Sequence, residues 1–299
     1  MMVLPLEGLS EIADRYDAYI FDVWGTLYDG GAAFPDAIEV LRQLRQHASK
    51  VVILSNSPRL PGVVAARLDR LGIPSAAYDA VVTSGGETHR VLRETVPDAQ
   101  IGHLGLSVFE TGPNRFPDIL PGTQYQPVDR VELADWVLNS GPDGEDDCLE
   151  DYEIGLRSAA SRQLPMICSN PDRIVYDQGV ERICAGLLAE RYERLGGRVQ
   201  YFGKPYGAVL ERCLENFGEN IDRSRVLVVG DNLATDIDGA IKVGLDSLWL
   251  TTGVHAGALG PLATSASIDS LAKWIQEGGW TLPTLAMPAL FWRNAAGER

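Results

Sequence analysis

Short apolar runs rich in β-branched and aromatic residues alternate along the chain with longer segments in which apolar residues recur every three or four positions. Buried strands are predicted for the runs of the first kind, at 18–21, 50–54, 80–83, 137–138, 164–168, 199–202, 225–229 and 247–250. Helices are predicted for the segments of the second kind, at 9–16, 35–44, 60–71, 88–95, 149–162, 180–195 and 268–276. Strands that alternate with helices favour a doubly wound α/β fold around a parallel sheet.

The pattern is less regular between residues 88 and 198, where Gly112-Pro113 and Pro121-Gly122 separate short apolar runs. We therefore expect a core domain built from residues 1–87 and 199–299, with a second domain of residues 88–198 inserted into it. The last clear strand is 247–250, and the proline- and aromatic-containing tail 280–299 is expected to pack over a surface or a partner chain, which would allow a homo-oligomer.

Composition narrows the class of protein. With 299 residues, of which 45% are hydrophobic, the chain can bury a sizeable core. A formal net charge of −15 argues against a nucleic-acid partner or an anionic membrane, because both would repel the chain. The four cysteines form no CxxC pair, so they indicate neither a zinc site nor a disulfide framework. Without a run of membrane-spanning length or a signal-like N-terminus, we expect a soluble, cytoplasmic protein.

Polar side chains follow four of the predicted strands at the point where each strand ends. They are Asp22, Ser55 with Asn56, Lys204, and the pair Asp231 and Asp236. The carboxyl ends of strands in a doubly wound sheet meet at one crevice, so these side chains are expected to converge there. Taken singly, each has an ordinary explanation as a turn residue, a surface lysine or a helix cap. Their joint occurrence, each after an apolar strand, indicates a site.

The chemistry of this set suits phosphoryl transfer. Carboxylate oxygens are the hard ligands that Mg²⁺ prefers, and Mg²⁺ commonly pairs with substrate phosphate. Ser55 and Lys204 can hold phosphate oxygens, the lysine as a point charge. A carboxylate nucleophile beside a metal ion and a lysine can form an aspartyl-phosphate, because the cations neutralise both the carboxylate and the incoming anion.

Several motifs together resemble the haloacid dehalogenase-like (HAD) superfamily, and more narrowly its class IIA, NagD-like branch of phosphatases. They are FDVWGTLYDG at 21–30, ILSNSPR at 53–59, VVTSGGET at 81–88, SNPDR at 169–173, GKP at 203–205 and VVGDNLATDIDGA at 228–240. The resemblance covers nearly the whole chain. It implies a Rossmann-like core with an inserted α/β cap of the C2 type, which matches the irregular segment.

The resemblance also implies a set of functional residues. In this family Asp22 would be the nucleophile, and Ser55, Asn56 and Lys204 would bind phosphate. The implied Mg²⁺ ligands are Asp22, the backbone carbonyl of Trp24, Asp231 and Asp236. The turn that carries Asn170, Asp172 and Arg173 would face the substrate, which the resemblance implies is a small phosphorylated metabolite.

One position departs from the phosphatases that the chain resembles. They carry a second aspartate two residues after the nucleophile, as general acid and base, and here that residue is Trp24. Indole cannot transfer that proton, and general acid-base help is typically worth about 10² to 10⁴ in rate. Two alternatives follow, a dehalogenase-type hydrolase that attacks carbon without a leaving-group acid, and a non-catalytic phosphate-binding module. Asp29, on the same loop, is a candidate substitute for the missing group.

Overall fold

The computed structural model describes residues 3–94, 104–218, 220–265 and 267–293. The strands in these ranges are β1 (Leu4–Pro5), β2 (Ala18–Phe21), β3 (Lys50–Ser55), β4 (Ala80–Thr83), β5 (Ser107–Thr111), β6 (Gln126–Pro127), β7 (Trp136–Asn139), β8 (Pro165–Cys168), β9 (Ile174–Asp177), β10 (Val180–Ile183), β11 (Arg198–Tyr201), β12 (Val226–Gly230), β13 (Asp246–Leu250) and β14 (Leu285–Met287). The α-helices are α1 (Pro35–Gln46), α2 (Pro61–Arg70), α3 (Ser84–Arg93), α4 (Leu149–Ser161), α5 (Ala185–Arg194), α6 (Gly207–Phe217), α7 (Asp238–Lys242), α8 (Ala256–Leu259), α9 (Leu262–Ser265) and α10 (Ile268–Glu277).

The described residues divide into two compact units, of which the first lies within Met1–Ser55, Ala65–Val82 and Leu210–Arg299. Its sheet has the strand order β1-β14-β13-β12-β2-β3-β4. Strand β2 runs parallel to both of its neighbours, and Phe21 stands opposite Val229 of β12 and Ile53 of β3. The carboxyl ends of three central strands therefore lie side by side.

The strands of the first unit are apolar because they are covered on both faces. All four residues of β2 are fully buried, as are most of β12 and β13, which is the pattern of a parallel sheet with helices on each side. On one face Trp249 packs with Leu233, Ile237 and Ile275. Burial of this apolar surface stabilises the sheet.

The second unit lies within Asn56–Val64 and Thr83–Val209, with residues 95–103 outside the described ranges. Its parallel sheet has the order β11-β8-β7-β5-β6, and β9 and β10 form an antiparallel hairpin. Residues of the sheet and of α4 and α5, among them Val137, Leu156 and Tyr192, form its core. The predicted α/β class with a parallel, doubly wound sheet is confirmed, whereas the predicted domain boundaries stay a prediction.

Three predicted helices differ in the structure. The segment 180–195 is strand β10 followed by α5, because the chain is extended at Cys184, whose N–H donates to the carbonyl of Arg173. The segment 9–16 contains only a 3₁₀ turn at Leu9–Ile12, and Ser10 lies inside it instead of capping it. The helix predicted from 88 begins at Ser84, because the Thr83 hydroxyl caps it by accepting from the N–H of Gly86. Its predicted end, Thr95, lies outside the described residues.

The tail also differs from the prediction that 247–250 is the last strand. Leu285–Met287 forms β14, which pairs in parallel with β13 and with β1. A strand of three residues is too short to show a period of two, so its pattern is invisible in the sequence. Residues 294–299 lie outside the described ranges, and packing against a partner chain stays a prediction. None of the helices in the described ranges has the length and apolar character needed to cross a membrane.

Candidate active site

Asp22 stands at the first position beyond β2. Its backbone N–H continues the ladder by donating to the carbonyl of Val229 at 2.9 Å, so the main chain is still held by the sheet at this point. The chain then leaves the sheet, and the Asp22 residue keeps only 8% of its surface exposed. A carboxylate is thereby placed, partly desolvated, at the carboxyl edge of the first unit's sheet, as the sequence predicted.

A tight turn follows Asp22 and depends on Gly25. The N–H groups of Leu27 and Tyr28 both donate to the carbonyl of Val23, and that of Gly25 donates to the carbonyl of Tyr28. Gly25 has φ of +79°, a conformation that favours glycine. A Cβ at this position would lie 2.2 Å from Oδ2 of Asp231. The turn and the approach of a second carboxylate therefore both require a residue without a side chain.

Asp231 and Asp236 come from the loop and π-helical turn after β12. The π-helix spans Leu233–Ile237, and the Asn232 side chain caps it by accepting from the N–H of Ala234. Asp231 Oδ2 accepts from the N–H of Val254 at 2.6 Å, and Asp236 Oδ2 accepts from the N–H of Asn232 at 3.1 Å. Such π-turns are uncommon and occur often at functional sites. Here the turn brings a residue five positions further along back toward the strand end.

The three carboxylates form one cluster. Asp22, Asp231 and Asp236 each offer an oxygen, and these oxygens all lie within 4.8 Å of one another. The exposed fractions are 8%, 5% and 1%, so the cluster is largely withdrawn from water. Like charges held this closely in a buried place repel each other, and a bound cation offsets that cost. An all-oxygen, anionic donor set fits a hard divalent ion such as Mg²⁺.

The neighbouring backbone leaves room for this cluster. A Cβ on Gly253 would lie 2.1 Å from Cβ of Asp231, and one on Gly230 would lie 2.2 Å from Cγ of Asp236. Any side chain at either place would push a carboxylate out of position. The side chains of Asp231 and Asp236 therefore each lie directly against backbone that carries no side chain.

Aromatic residues that the sequence reasoning missed support the Asp231–Asp236 loop. The indole of Trp249 donates to the Asp231 carbonyl at 2.9 Å, and Nε2 of His255 accepts from the N–H of Leu233 at 3.1 Å. The imidazole packs against the rings of Trp249, Trp274 and Trp280. Burial lowers the pKa of His255, which favours the neutral ring that this acceptor role requires. Both residues lie far from the loop in sequence, so no local signal reveals them.

Trp24 is fixed by packing against its own unit. Its ring meets the ring of Tyr28 edge to face, with centroids 4.7 Å apart. The Arg67 guanidinium lies 5.5 Å from the Trp24 centroid and 5.1 Å from that of Tyr28, and it donates to the carbonyl of Gly30 at 2.8 Å. Arg67 was not among the predicted site residues. It holds the loop that follows Asp22 at both its beginning and its end.

Replacing Arg67 by methionine is expected to loosen this loop. The variant keeps an aliphatic stem but loses two cation–π contacts and one hydrogen bond, so we expect the free energy of unfolding to fall by about 1 kcal/mol. Thermal and denaturant unfolding measure the change. Arg70 on the same helix is the matched control, because its guanidinium returns to the carbonyl of Ala66 on that helix, and Arg70→Met should unfold like the wild type. Equal effects of the two variants would contradict a specific role for Arg67.

Asp29 does not substitute for a general acid at Trp24. Its side chain is exposed, and its Oδ1 accepts from the N–H groups of Gly31 and Ala32, both at 2.9 Å. These two hydrogen bonds lower the pKa of the Asp29 carboxyl. Asp29 is a poor proton donor near neutral pH, because its carboxylate caps a turn and its lowered pKa keeps it ionised. The suggestion made from the sequence is therefore not supported.

The residues predicted to bind phosphate lie in both units, with Ser55 in the first and Asn56 and Lys204 in the second. Ser55 ends β3 in the first unit and is buried. A second cluster, within the second unit, contains Asn56 and Lys204, with 3% and 2% of their surfaces exposed. There Asn56 Oδ1 accepts from the N–H of Lys204 at 2.7 Å, and Asn56 Nδ2 donates to Oδ1 of Asp172 at 2.9 Å. Within the first unit the structure brings together Asp22, Asp231 and Asp236. Within the second unit it brings together Asn56, Lys204 and Asp172.

The turn predicted to face substrate is built by its own side chains. Asn170 Oδ1 accepts from the N–H of Asp172 at 3.0 Å, which closes an Asx turn. The N–H of Gly186, at the start of α5, donates to the carbonyl of Asp172 at 2.9 Å. Arg173 is exposed and pairs with Glu190 of α5 at 2.9 Å, so it is not drawn into the cluster around Asn56. Its role toward substrate stays a prediction.

Two family models match the chain. The model of the haloacid dehalogenase-like hydrolases matches residues 19–111, which include Asp22 and Ser55. A second, HAD-hydrolase-like model matches residues 201–274, which include Lys204, Asp231 and Asp236. The matched segments are the two that carry the predicted catalytic motifs.

The chain is also similar to individual known proteins. The chain is 34% identical to a haloacid dehalogenase-like hydrolase from Brucella suis 1330, with a TM-score of 0.81 and coverage of 95% of this chain and 99% of that one. It is 28% identical to an acid sugar phosphatase from Staphylococcus saprophyticus, over 80% of this chain and 88% of the relative. It is 25% identical to a glycerol phosphate phosphatase from Mycobacterium tuberculosis solved with calcium, with a TM-score of 0.61 and coverage of 81% of this chain and 68% of that one.

Proposed function

The chain belongs to the haloacid dehalogenase-like hydrolases, as the motifs predicted, and we propose that it is a Mg²⁺-dependent phosphatase of a small phosphorylated metabolite. The observation that carries the proposal is the buried cluster of Asp22, Asp231 and Asp236, whose oxygens lie within 4.8 Å of one another. Three carboxylates suit a metal-assisted reaction of a phosphate ester. A metal-independent dehalogenase has no need of all three, so the cluster favours the phosphatase over that alternative.

The metal would be held by the three carboxylates, with the backbone carbonyl of Trp24 as the further ligand that the family resemblance implies. When bound, Mg²⁺ would supply positive charge that neutralises the cluster and the phosphate group. The chain itself contributes the fixed geometry, since backbone N–H groups hold Asp231 and Asp236, and glycines leave room around them. The glycerol phosphate phosphatase from Mycobacterium tuberculosis forms complexes with calcium and with magnesium, which supports a divalent ion here.

Asp22 is proposed as the nucleophile. One of its oxygens forms a bond to phosphorus while the bond from phosphorus to the leaving oxygen breaks. This gives an aspartyl-phosphate and an oxyanion, which takes its proton from solvent water to become the free alcohol. Water then attacks that phosphorus, which releases inorganic phosphate and restores the Asp22 carboxylate. We assign phosphate binding to Ser55 and Lys204 on the strength of the motifs in which they stand.

Trp24 and the relatives together support a class of substrate. The similarity to an acid sugar phosphatase and a glycerol phosphate phosphatase supports a small phosphorylated sugar or polyol. Neither Trp24 nor the turn-capping Asp29 supplies a proton to the leaving oxygen. We therefore propose that the enzyme hydrolyses phosphates of acidic leaving groups faster than those of ordinary alcohols.

Hydrolysis of a substrate panel tests the proposal. The panel contains sugar phosphates, glycerol phosphate, one activated aryl phosphate and one 2-haloacid, each with Mg²⁺ and with chelator. We expect phosphate release with Mg²⁺, fastest from the aryl phosphate, and loss of it on chelation. Chelator-resistant halide release would support the dehalogenase alternative. Binding of a phosphate analogue without any turnover would support the non-catalytic module.

A further inference from the structure

The side-chain amide of Asn56 is completely engaged within the second unit. Its Nδ2 donates to Oδ1 of Asp172 at 2.9 Å and to the carbonyl of Lys204 at 3.1 Å. Its Oδ1 accepts from the N–H of Lys204 at 2.7 Å and from the hydroxyl of Ser84 at 3.2 Å. A primary amide has two donor hydrogens and two acceptor lone pairs. All four are therefore in use, and Asn56 can reach a phosphate oxygen only by giving up one of these bonds.

From these contacts, the structure assigns the side chain of Asn56 a positioning role. Its amide fixes the backbone of Lys204 and links it to Asp172, instead of binding phosphate. The assignment rests on the proposed function, in which Lys204 binds the phosphate group. Because Asn56 bonds both the N–H and the C=O of Lys204, it holds that residue's backbone as a neighbouring strand would. The lysine side chain consequently starts from a fixed Cα.

Close packing around Asn56 supports this assignment. Gly203, next to Lys204, has φ of +128°. A Cβ on it would lie 2.2 Å from the Ser84 hydroxyl oxygen, 2.6 Å from Asn56 Oδ1 and 2.6 Å from Cδ of Pro171. Three segments distant in sequence therefore converge on Gly203, which has no side chain, and the four hydrogen bonds of Asn56 set the orientation of its amide.

The segments that Asn56 joins are themselves anchored. Ser84 begins helix α3, and its carbonyl accepts from the Thr88 hydroxyl at 2.8 Å. Asp172 belongs to the Asx turn closed by Asn170. A displacement of that turn must therefore stretch the hydrogen bond from Asn56 to Asp172. Because Asn56 also bonds the backbone of Lys204, the displacement acts on Lys204 as well. The geometry makes phosphate affinity depend on the turn at 170–173.

Asn56→Asp tests the assignment with almost no change of shape. Oδ1 of the new aspartate can still accept from Lys204 and Ser84. The two N–H donors of Nδ2 are lost, and the oxygen that replaces them faces the carbonyl of Lys204 and the carboxylate of Asp172. The variant loses one hydrogen bond to a carboxylate and one to the Lys204 carbonyl, so we expect the dissociation constant of inorganic phosphate to rise about 10- to 100-fold. Calorimetry on the Mg²⁺-loaded protein measures it, and KM for the substrate should rise by a similar factor with a smaller change in kcat.

The double variant Asn56→Asp with Asp172→Asn provides the decisive comparison. It exchanges the two groups, so the amide at 172 can donate to the carboxylate at 56, and we expect it to recover at least half of the lost affinity on a logarithmic scale. Asn216→Asp is the matched control, because Asn216 is exposed and its amide returns to the carbonyl of Arg212 on its own helix. That control should bind phosphate like the wild type.

Thermal unfolding of the same proteins tests the hydrogen bond between Asn56 and Asp172 without any bound phosphate. The assignment predicts a lower Tm for Asn56→Asp and partial recovery in the double variant. An Asn56→Asp protein with wild-type phosphate affinity and Tm would overturn the positioning role, and so would a double variant no better than the single one in both measurements. A wild-type protein that neither binds phosphate nor releases it from a substrate would overturn the proposed function. The unfolding comparison would still show whether the hydrogen bond between Asn56 and Asp172 stabilises the protein.

Discussion

Asp22→Asn is expected to reduce turnover of any phosphorylated substrate by about 10³-fold or more, since it removes the proposed nucleophile. The amide has nearly the same shape but is a poor nucleophile near neutral pH, and it withdraws one negative charge from the cluster with Asp231 and Asp236. Initial rates of phosphate release under saturating Mg²⁺ measure the effect. Titration of Mg²⁺ by calorimetry then separates a loss of chemistry from a loss of metal.

Asp29→Asn is the control for this experiment. Asp29 lies on the same loop, is exposed, and uses its Oδ1 to accept from the N–H groups of Gly31 and Ala32. An asparagine keeps that acceptor, so turnover should stay within about twofold of the wild type by the usual effect of surface substitutions. Retained turnover in Asp22→Asn would contradict the aspartyl-phosphate mechanism. Equal losses in both variants would attribute the effect to the loop's structure.

Trp24→Asp is expected to raise the hydrolysis of phosphates whose leaving group is an ordinary alcohol. It restores a carboxyl group where the phosphatases that the chain resembles carry their general acid, and such help is typically worth about 10² to 10⁴ in rate. An aryl phosphate with an acidic leaving group should gain much less, because its leaving oxygen departs without a proton. The quantity to measure is therefore kcat/KM across a series of leaving groups of increasing pKa, whose slope should flatten in the variant.

Trp24→Phe is the matched variant, because it keeps an aromatic ring beside Tyr28 and Arg67 but adds no acid. Its dependence on leaving group should equal that of the wild type. Trp24→Asp gives up the contacts with those two residues, so its Tm must be recorded alongside. A folded Trp24→Asp protein with an unchanged slope would contradict the view that a missing acid limits the wild-type enzyme.

Much of the fold could be predicted because its central strands are continuous apolar runs. Strands β2 and β12 and residues 51–54 of β3 are buried, so these runs contain no polar interruption until Asp22, Ser55 and Asp231. Short or half-exposed elements carry no such signal. The hairpin strand Val180–Ile183 was assigned to a helix, and Leu285–Met287 was missed, because each becomes a strand only by pairing with its neighbour.

The candidate site likewise contains residues that the sequence predicted and residues that it did not. Asp22, Asp231 and Asp236 were predicted from strand ends and motif spacing, and the structure brings them into one cluster. Arg67, Trp249 and His255 were not predicted, because each supports the site through a contact with a residue far away in the sequence. Asn56 was predicted as a phosphate ligand from its place in a motif, which could not reveal that its four hydrogen bonds end within the protein.

The sequence alone thus determined the residues that can do chemistry and the strands that present them, because apolar runs and the polar residues that follow them are local properties of the chain. Tertiary structure decided which of those residues meet and what else holds them. Gly25 leaves room for Asp231, which lies more than two hundred positions further along, and Asn56 binds the backbone of Lys204. Such contacts exist only after the chain has folded, since hydrogen bonds and steric fit act over a few ångströms and sequence separation does not limit them.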